Sequence, residues 1–342
     1  MARSRLNVRM LFMFVVICSG FMLIFFLKDI TDVYDLAITR KTKLKHEHLS
    51  NNTHLVANST DQLESIEEFM KRYSLIHVKR TKHTNEMCLR HGKRLAGKPL
   101  SKLLVNEKHK LVFCQTPKVG SVSWCRIMLV LSEYMNYTQV MKLTADQVSR
   151  AWKKHVPRLG AFPLSKQKHI LANYTKFMFV RHPFTRLLSA FNDKMKMKDG
   201  KYQRGTEYYV NKIKGHYRWD RNATEDVEFV DFINMVVSNV GNVHWSEMYK
   251  VCGSCDIHYD VIGHFEDMTN DAKYIFKLSN VTSVGFPEPS KSHATYSSDN
   301  DKIFKAFSTL PVSMLADLYY KFKYDFALFD YKIPFNINQN RK

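Results

Sequence analysis

Two short stretches bring cations to positions where anion chemistry can occur. In Cys114-Gln-Thr-Pro-Lys-Val-Gly-Ser-Val-Ser-Trp124, Lys118 and Gly120 stand between an apolar run and a helical pattern. A helix N-terminus offers unpaired amide hydrogens and the positive end of the helix dipole. Gly120 lets the backbone approach a bound anion, Ser121 and Ser123 add hydroxyl donors, and Lys118 adds a mobile charge. This is not the Walker loop, because the lysine precedes the glycine and no Gly-Lys-Ser or Gly-Lys-Thr occurs. The same stretch also fits a plain strand-to-helix connection with a solvated lysine. A second stretch, Arg181-His182-Pro183-Phe184, repeats the arrangement, with Ser189 about two helical turns further on. A guanidinium and a hydroxyl suit a second phosphate. Two such cradles imply a ligand with two separated phosphates.

The elements that must position them read as strand–turn–helix units. Lys110–Cys114 and Lys176–Val180 are short apolar runs that fit strands. After the first comes a helix from about Ser121 that buries Trp124, Ile127, Met128, Val130 and Leu131. After the second comes Arg186-Leu-Leu-Ser-Ala-Phe-Asn-Asp-Lys-Met195, with Pro183 well placed at a helix start. Short apolar stretches alternating with longer helical patterns from about residue 86 predict an α/β domain with a mainly parallel sheet.

These motifs carry a family likeness. Pro117-Lys-Val-Gly-Ser-x-x-Trp124, followed by Phe179-Val-Arg-x-Pro-Phe-x-Arg-Leu-x-Ser-Ala-Phe191, resembles the Golgi carbohydrate sulfotransferases of the chondroitin, dermatan and HNK-1 group. The segments from Val243 to Met268 and from Leu315 to Tyr331 extend the resemblance, so that it covers about residues 86 to 335. It implies a P-loop-like sulfotransferase fold, a central parallel sheet flanked by helices, that binds 3′-phosphoadenosine 5′-phosphosulfate. By similarity, Pro117, Lys118, Val119, Gly120, Ser121, Val122 and Ser123 form the loop around the 5′-phosphosulfate, and Arg181 and Ser189 hold the 3′-phosphate. Three positions depart from the family pattern. Val122 stands where a hydroxyl is usual, Cys125 where a cation is usual, and His182 where a carboxylate is usual.

A sulfuryl transfer needs a cation on the leaving group and a base for the acceptor hydroxyl. Lys118 fits the first role. His244 is the candidate base, with Trp245 beside it to stack on a sugar, and His169 is the second choice. The basic run from Lys194 to Arg204 reads as a rim for a polyanionic acceptor. Gly205-Thr206-Glu207 and the His244-Trp245 region look most like the chondroitin 4-O enzymes, with glucuronic acid 3-O transfer as the alternative. A glycan-binding protein without catalysis would keep the rim but have no need of Lys118 or Arg181. A luminal kinase would need a metal-binding carboxylate cluster near the first cradle, and the sequence offers none there; no metal is expected.

The chain of 342 residues carries a formal net charge of +20, which calls for an anionic partner. Met10–Leu27 is apolar and uncharged, and at about 1.5 Å per residue it is just long enough to span a bilayer. Arg3, Arg5 and Arg9 precede it, which places the N-terminus in the cytosol and the remainder in the lumen. Six glycosylation sequons follow the span, at Asn51, Asn58, Asn136, Asn173, Asn222 and Asn280. A luminal setting favours acidic glycans over nucleic acid as the partner. The expected layout is therefore a cytosolic tail 1–9, a signal-anchor 10–27 in the Golgi membrane, a stem 28–85 and a catalytic domain 86–342.

Five cysteines remain beyond the span. Cys252-Gly-Ser-Cys255 fits a redox pair, two zinc ligands with His258, or a local disulfide. No second ligand pair with zinc spacing occurs, which favours the local disulfide. Cys88 would then pair with Cys114, leaving Cys125 as a free thiol near a helix N-terminus, where its thiolate is favoured.

Overall fold

The computed structural model describes residues 64–91, 99–197, 202, 205–217, 227–287 and 300–333. All belong to the compact unit Glu64–Lys342. The expected anchor, most of the expected stem and the sequons at Asn51, Asn58 and Asn222 lie outside them. Among the described residues no helix is long and apolar enough to cross a membrane. The sequon asparagines that are described, Asn136, Asn173 and Asn280, are all exposed.

Four strands form one sheet in the order β1 (Leu103–Asn106), β2 (Leu111–Cys114), β3 (Thr175–Val180), β4 (Val261–His264). The β1–β2 pair is antiparallel, while β2, β3 and β4 run parallel. The parallel strands are buried almost throughout, which is why the sequence shows them as continuous apolar runs rather than alternating ones. Gly263 pairs with Phe179 across β3 and β4, and a Cβ at Gly263 would come within 2.3 Å of the Phe179 ring. The missing side chain makes room for that ring. Trp124 lies among Phe113, Phe177, Phe179, Phe276 and Phe286, at centroid distances of 4.7 to 5.7 Å. It fastens the helix Ser121–Leu131 onto the sheet.

A second apolar cluster sits beside the sheet. The helix Pro183–Lys194 contributes Phe184, Leu187, Leu188 and Phe191 to it, and the helix Val312–Leu328 contributes Leu315, Leu318, Phe322 and Phe326.

The stem boundary is corrected by the helix α1 (Ile66–His91), which runs across the expected break after residue 85. Its residues Phe69, Tyr73, His77 and Thr84 are buried. The Arg80 guanidinium donates to both carboxylate oxygens of Asp271 at 2.9 Å, and the Tyr73 hydroxyl donates to Asp267 at 2.7 Å. The charged residues on the outer face of this helix make the segment look like a solvated stem. The buried stripe on its inner face makes it part of the domain.

The cysteine pairing is also corrected. Cys88 bonds Cys255, and Cys114 bonds Cys252. The adjacent pair Cys252–Cys255 and the pair Cys88–Cys114 are not formed. Cys252 ends a short helix and faces the end of β2, whereas Cys255 lies past the turn at Gly253 and faces α1. The two therefore point at different elements. Among the described residues Cys125 is the free cysteine, as expected, but it is buried, and burial pushes its thiol well above the usual range. The expected favoured thiolate is not found.

A non-reducing peptide map should return Cys88 with Cys255 and Cys114 with Cys252. The Cys125 peptide should alkylate only after denaturation. Because the Cys114–Cys252 bond closes a loop with a sequence separation of 138, replacing both residues by alanine should cost about 2–4 kcal/mol of stability, read from a chemical melt.

Candidate active site

Both cation-bearing turns leave the carboxyl ends of neighbouring parallel strands, where open α/β sheets gather their ligands. The first turn carries unusual backbone. Lys118 has φ of +71° and Gly120 has φ of +77°. Lysine in the left-handed region costs energy that only the surroundings can offset, and such residues gather at functional sites. At Gly120 a Cβ would come within 2.7 Å of Met268 Cε, so both conformation and space call for glycine. No side chain caps the helix that starts at Ser121, which leaves its first amide hydrogens directed outward over the loop. Ser121 is buried, Ser123 half-buried and Val122 exposed.

Arg181 closes the second turn over the first. Its Nη1 donates to the Lys118 carbonyl at 3.2 Å, and the guanidinium lies 4.1 Å from the Phe265 ring centroid. Burial pushes it down to about 10, with Glu266 opposing. The carboxylate missing at position 182 is thus supplied from elsewhere. Glu266 accepts from the His182 amide at 3.0 Å and from the Tyr331 hydroxyl at 2.9 Å. His182 itself caps the helix Pro183–Lys194, its Nδ1 accepting from the Phe184 amide at 3.3 Å and its Nε2 donating to the Lys332 carbonyl at 3.0 Å. Burial pushes this imidazole down, which keeps it neutral and suits that pattern of one acceptor and one donor.

That helix carries three further site residues on one face, Arg186, Ser189 and Asp193, at three- and four-residue spacing. Ser189 is buried. Asp193 Oδ2 lies 3.2 Å from Lys118 Nζ and 3.2 Å from Lys194 Nζ. Burial alone would raise this carboxyl, but the two lysines hold it down to about 2. Burial pushes the Lys118 ammonium down to about 8 against the opposing pull of Asp193.

Arg186 is the residue that motif reading passed over. Fully buried, it donates from Nε to the Pro117 carbonyl at 3.1 Å, from Nη1 to that of Ser246 at 2.7 Å and from Nη2 to that of Val243 at 3.1 Å. It therefore ties the first cradle to the segment that carries His244. The signal was the second arginine in Arg181-x-Pro-Phe-x-Arg186, whose role was left unassigned. Asp193 and Glu266 gave no motif signal.

His244 lies close enough to Lys118, Lys194, Asp193 and Arg186 to feel all four charges. Burial, reinforced by the lysines, pushes it down to about 3, and its Nδ1 is buried without a hydrogen-bond partner. His169 is excluded as an alternative base by position. It is exposed and precedes the amino end of β3, the opposite end of the sheet from Arg181. Trp245 is not exposed for stacking on a sugar, because it is buried against Tyr209 and Phe232 with its Nε1 donating to the Val240 carbonyl. Of the basic run, Lys194 faces Asp193 and Lys196 lies over the Phe191 ring, while 198–201, 203 and 204 lie outside the described residues. Among the described residues, no group of three or more His, Cys, Asp or Glu side chains could hold a metal.

Comparison with known proteins places these features in a family. The sulfotransferase family profile matches residues 101–332, more than half of the chain. Carbohydrate sulfotransferase 10 of Gallus gallus is 30% identical over 317 residues, 87% of this chain and 87% of its own length. Carbohydrate sulfotransferase 11 of Danio rerio is 33% identical over 285 residues, 76% of this chain and 77% of its own. Carbohydrate sulfotransferase 10 of Homo sapiens is 30% identical over 278 residues, 76% and 77% of the two chains. No solved structure matches.

Replacing Gly120 by alanine should cost about 1–3 kcal/mol in a thermal melt, and adding Met268→Ala should recover only part of it, since the space is relieved but the positive φ is not. Arg186→Lys keeps the charge but cannot reach three carbonyls at once. It should cost about 2–4 kcal/mol and lower turnover as well.

Proposed function

The chain belongs to the sulfotransferase family, and from that premise we propose that it transfers a sulfuryl group from 3′-phosphoadenosine 5′-phosphosulfate to a hydroxyl of an acidic glycan. The observation that carries the reading is the meeting of Lys118 and Arg181, from adjacent strand ends, at one uncapped helix start. When bound, the donor supplies an activated sulfuryl group on a bridging oxygen between sulfur and phosphorus.

The residues present fit such a ligand. The amide hydrogens at Ser121, Val122 and Ser123 and the Lys118 ammonium receive the 5′-phosphosulfate, and Arg181 with Ser189 receives the 3′-phosphate. Lys118 sits toward the leaving phosphate, where negative charge grows during transfer, and a cation there lowers the barrier more than it tightens ground-state binding. His244 is the base. In the donor-free site burial, reinforced by the surrounding cations, disfavours the protonated form. An anionic donor offsets those cations, so that His244 gains basicity when the donor is in place.

The acceptor is an acidic glycan, as the net charge of +20 and the carbohydrate sulfotransferase relatives suggest. Within that class we favour the 4-hydroxyl of N-acetylgalactosamine in chondroitin or dermatan, with the glucuronic acid 3-hydroxyl as the second reading. The relatives of both numbers, 10 and 11, keep the two in play. The protein is proposed to work in the Golgi lumen behind the N-terminal anchor. Disaccharide analysis of chondroitin incubated with the chain and donor decides the hydroxyl, and an absence of any sulfated product from both acceptor types would overturn the enzyme reading.

Lys118→Ala should lower turnover by about a hundredfold or more with a smaller effect on binding of adenosine 3′,5′-bisphosphate, whereas Arg181→Ala should weaken that binding directly. The pH dependence has a definite sign. Lys118 is depressed to about 8, so it is charged below that pH and loses its proton above it. Bisphosphate affinity should fall as pH rises through about 8, since phosphate groups with a second pKa of about 6 are already fully ionised there. Lys118→Arg should abolish the fall, because arginine keeps its proton. Calorimetric titration across pH 6.5 to 9.5 reads both outcomes.

A further inference from the structure

Asp193 takes no part in the proposed transfer, yet it holds the lysine on which that transfer turns. Its carboxylate sits 3.2 Å from the Lys118 ammonium, on a helix face that also carries Arg186 and Ser189. The pair is partly buried, with side-chain exposures of 14% for Lys118 and 23% for Asp193, so water does not disperse it as it would a surface pair. The Lys118 backbone is fixed by its left-handed conformation and by Arg181 on its carbonyl. Only the side chain is left to swing.

We propose that Asp193 is a positioning residue, an internal anion that occupies Lys118 until the phosphosulfate of the donor displaces it. The inference rests on the assignment of Lys118 to the donor. One ammonium with three donor hydrogens at the mouth of a narrow loop must be shared or exchanged between the two anions. An incoming anion gains its contact with Lys118 only by breaking that with Asp193. A ligand that also reaches Arg181 through a second phosphate offsets this cost, and a small anion such as sulfate cannot. Asp193 thereby lowers the affinity of every anion that needs Lys118 by a similar factor, which leaves small inorganic anions unbound at concentrations where a doubly phosphorylated nucleotide still binds. After the exchange Asp193 keeps Lys194, its second partner at 3.2 Å, and so stays beside His244.

The test is a double-mutant cycle on the full chain, with binding of adenosine 3′,5′-bisphosphate and of inorganic sulfate followed by titration calorimetry. Asp193→Asn should tighten bisphosphate binding about fivefold, the worth of one partly buried ion pair, and tighten sulfate binding by at least as much. In a Lys118→Ala background the same substitution should change neither. Asp193→Glu, which keeps the anion, should stay within about twofold of the unsubstituted chain. Asp193→Ser repeats the measurement if the amide variant melts below the assay temperature. Equal weakening in both backgrounds would make Asp193 a structural brace and overturn the proposal. Equal tightening in both would also overturn it, since the effect would not pass through Lys118. If the unsubstituted chain failed to bind the bisphosphate at all, the assignment of Lys118 to the donor would fall instead.

Discussion

A single buried guanidinium sets the geometry of the site. Arg186 has no exposed surface to speak of, and removing a charge from water is expensive unless every hydrogen-bonding arm is used. Here its arms end on the carbonyls of Pro117, Val243 and Ser246. Burial pushes the group down to about 10, with Asp325 and Glu247 opposing from nearby. Asp325 in turn accepts from the amides of Met248 and Tyr249, which anchors the far end of the same segment. The spacing between Lys118 and His244 is consequently fixed by backbone contacts two residues or fewer from each of them, not by contacts of the two side chains themselves.

The electrostatics follow from that frame. Lys118, Arg181, Arg186 and Lys194 come close together; Asp193 faces Lys118 and Lys194, Glu266 opposes Arg181, and Asp325 and Glu247 oppose Arg186. Burial, with the neighbouring cations adding to it, depresses both Lys118 and His244. Such a centre is poised for a ligand that brings several negative charges, and the second apolar cluster keeps the supporting helix rigid while it waits. Phe184 stacks on Phe307 at 4.9 Å and meets Phe326 edge-on at 5.3 Å, so the helix that presents Arg186, Ser189 and Asp193 is packed on its far side.

Much of this was legible in the residues. The two turns, their strands and their helices fall where the apolar runs and Pro183 place them, because those signals are local. The spare cysteine was legible by parity. Its partners were not, since pairing depends on which elements meet, and neither Cys252 nor Cys255 announces the strand or helix it will face. Trp245 is illegible for a related reason: an aromatic next to a candidate base looks the same in sequence whether it faces a ligand or the core. The inner stripe of the helix Ile66–His91 is diluted by polar residues such as His77 and Thr84, which are buried only because Asp271 and the Leu328 carbonyl come to meet them. Glu266, just past the carboxyl end of β4, stands where the motif expects a carboxylate next to Arg181 in sequence. Such a long-range exchange leaves no trace in spacing.

The crossed disulfides bear on how the protein is made. Cys88 and Cys114 leave the ribosome long before Cys252 and Cys255, and in an oxidising compartment two nearby thiols left without their partners readily bond each other. The later pair, separated by two residues, has the same temptation. Both finished bonds instead join an early cysteine to a late one. Synthesis must therefore either hold the early thiols reduced until most of the sheet has emerged, or form the neighbouring bonds and then exchange them. In either case the yield of correctly bonded enzyme depends on how its thiols are held or exchanged as much as on the sequence that folds.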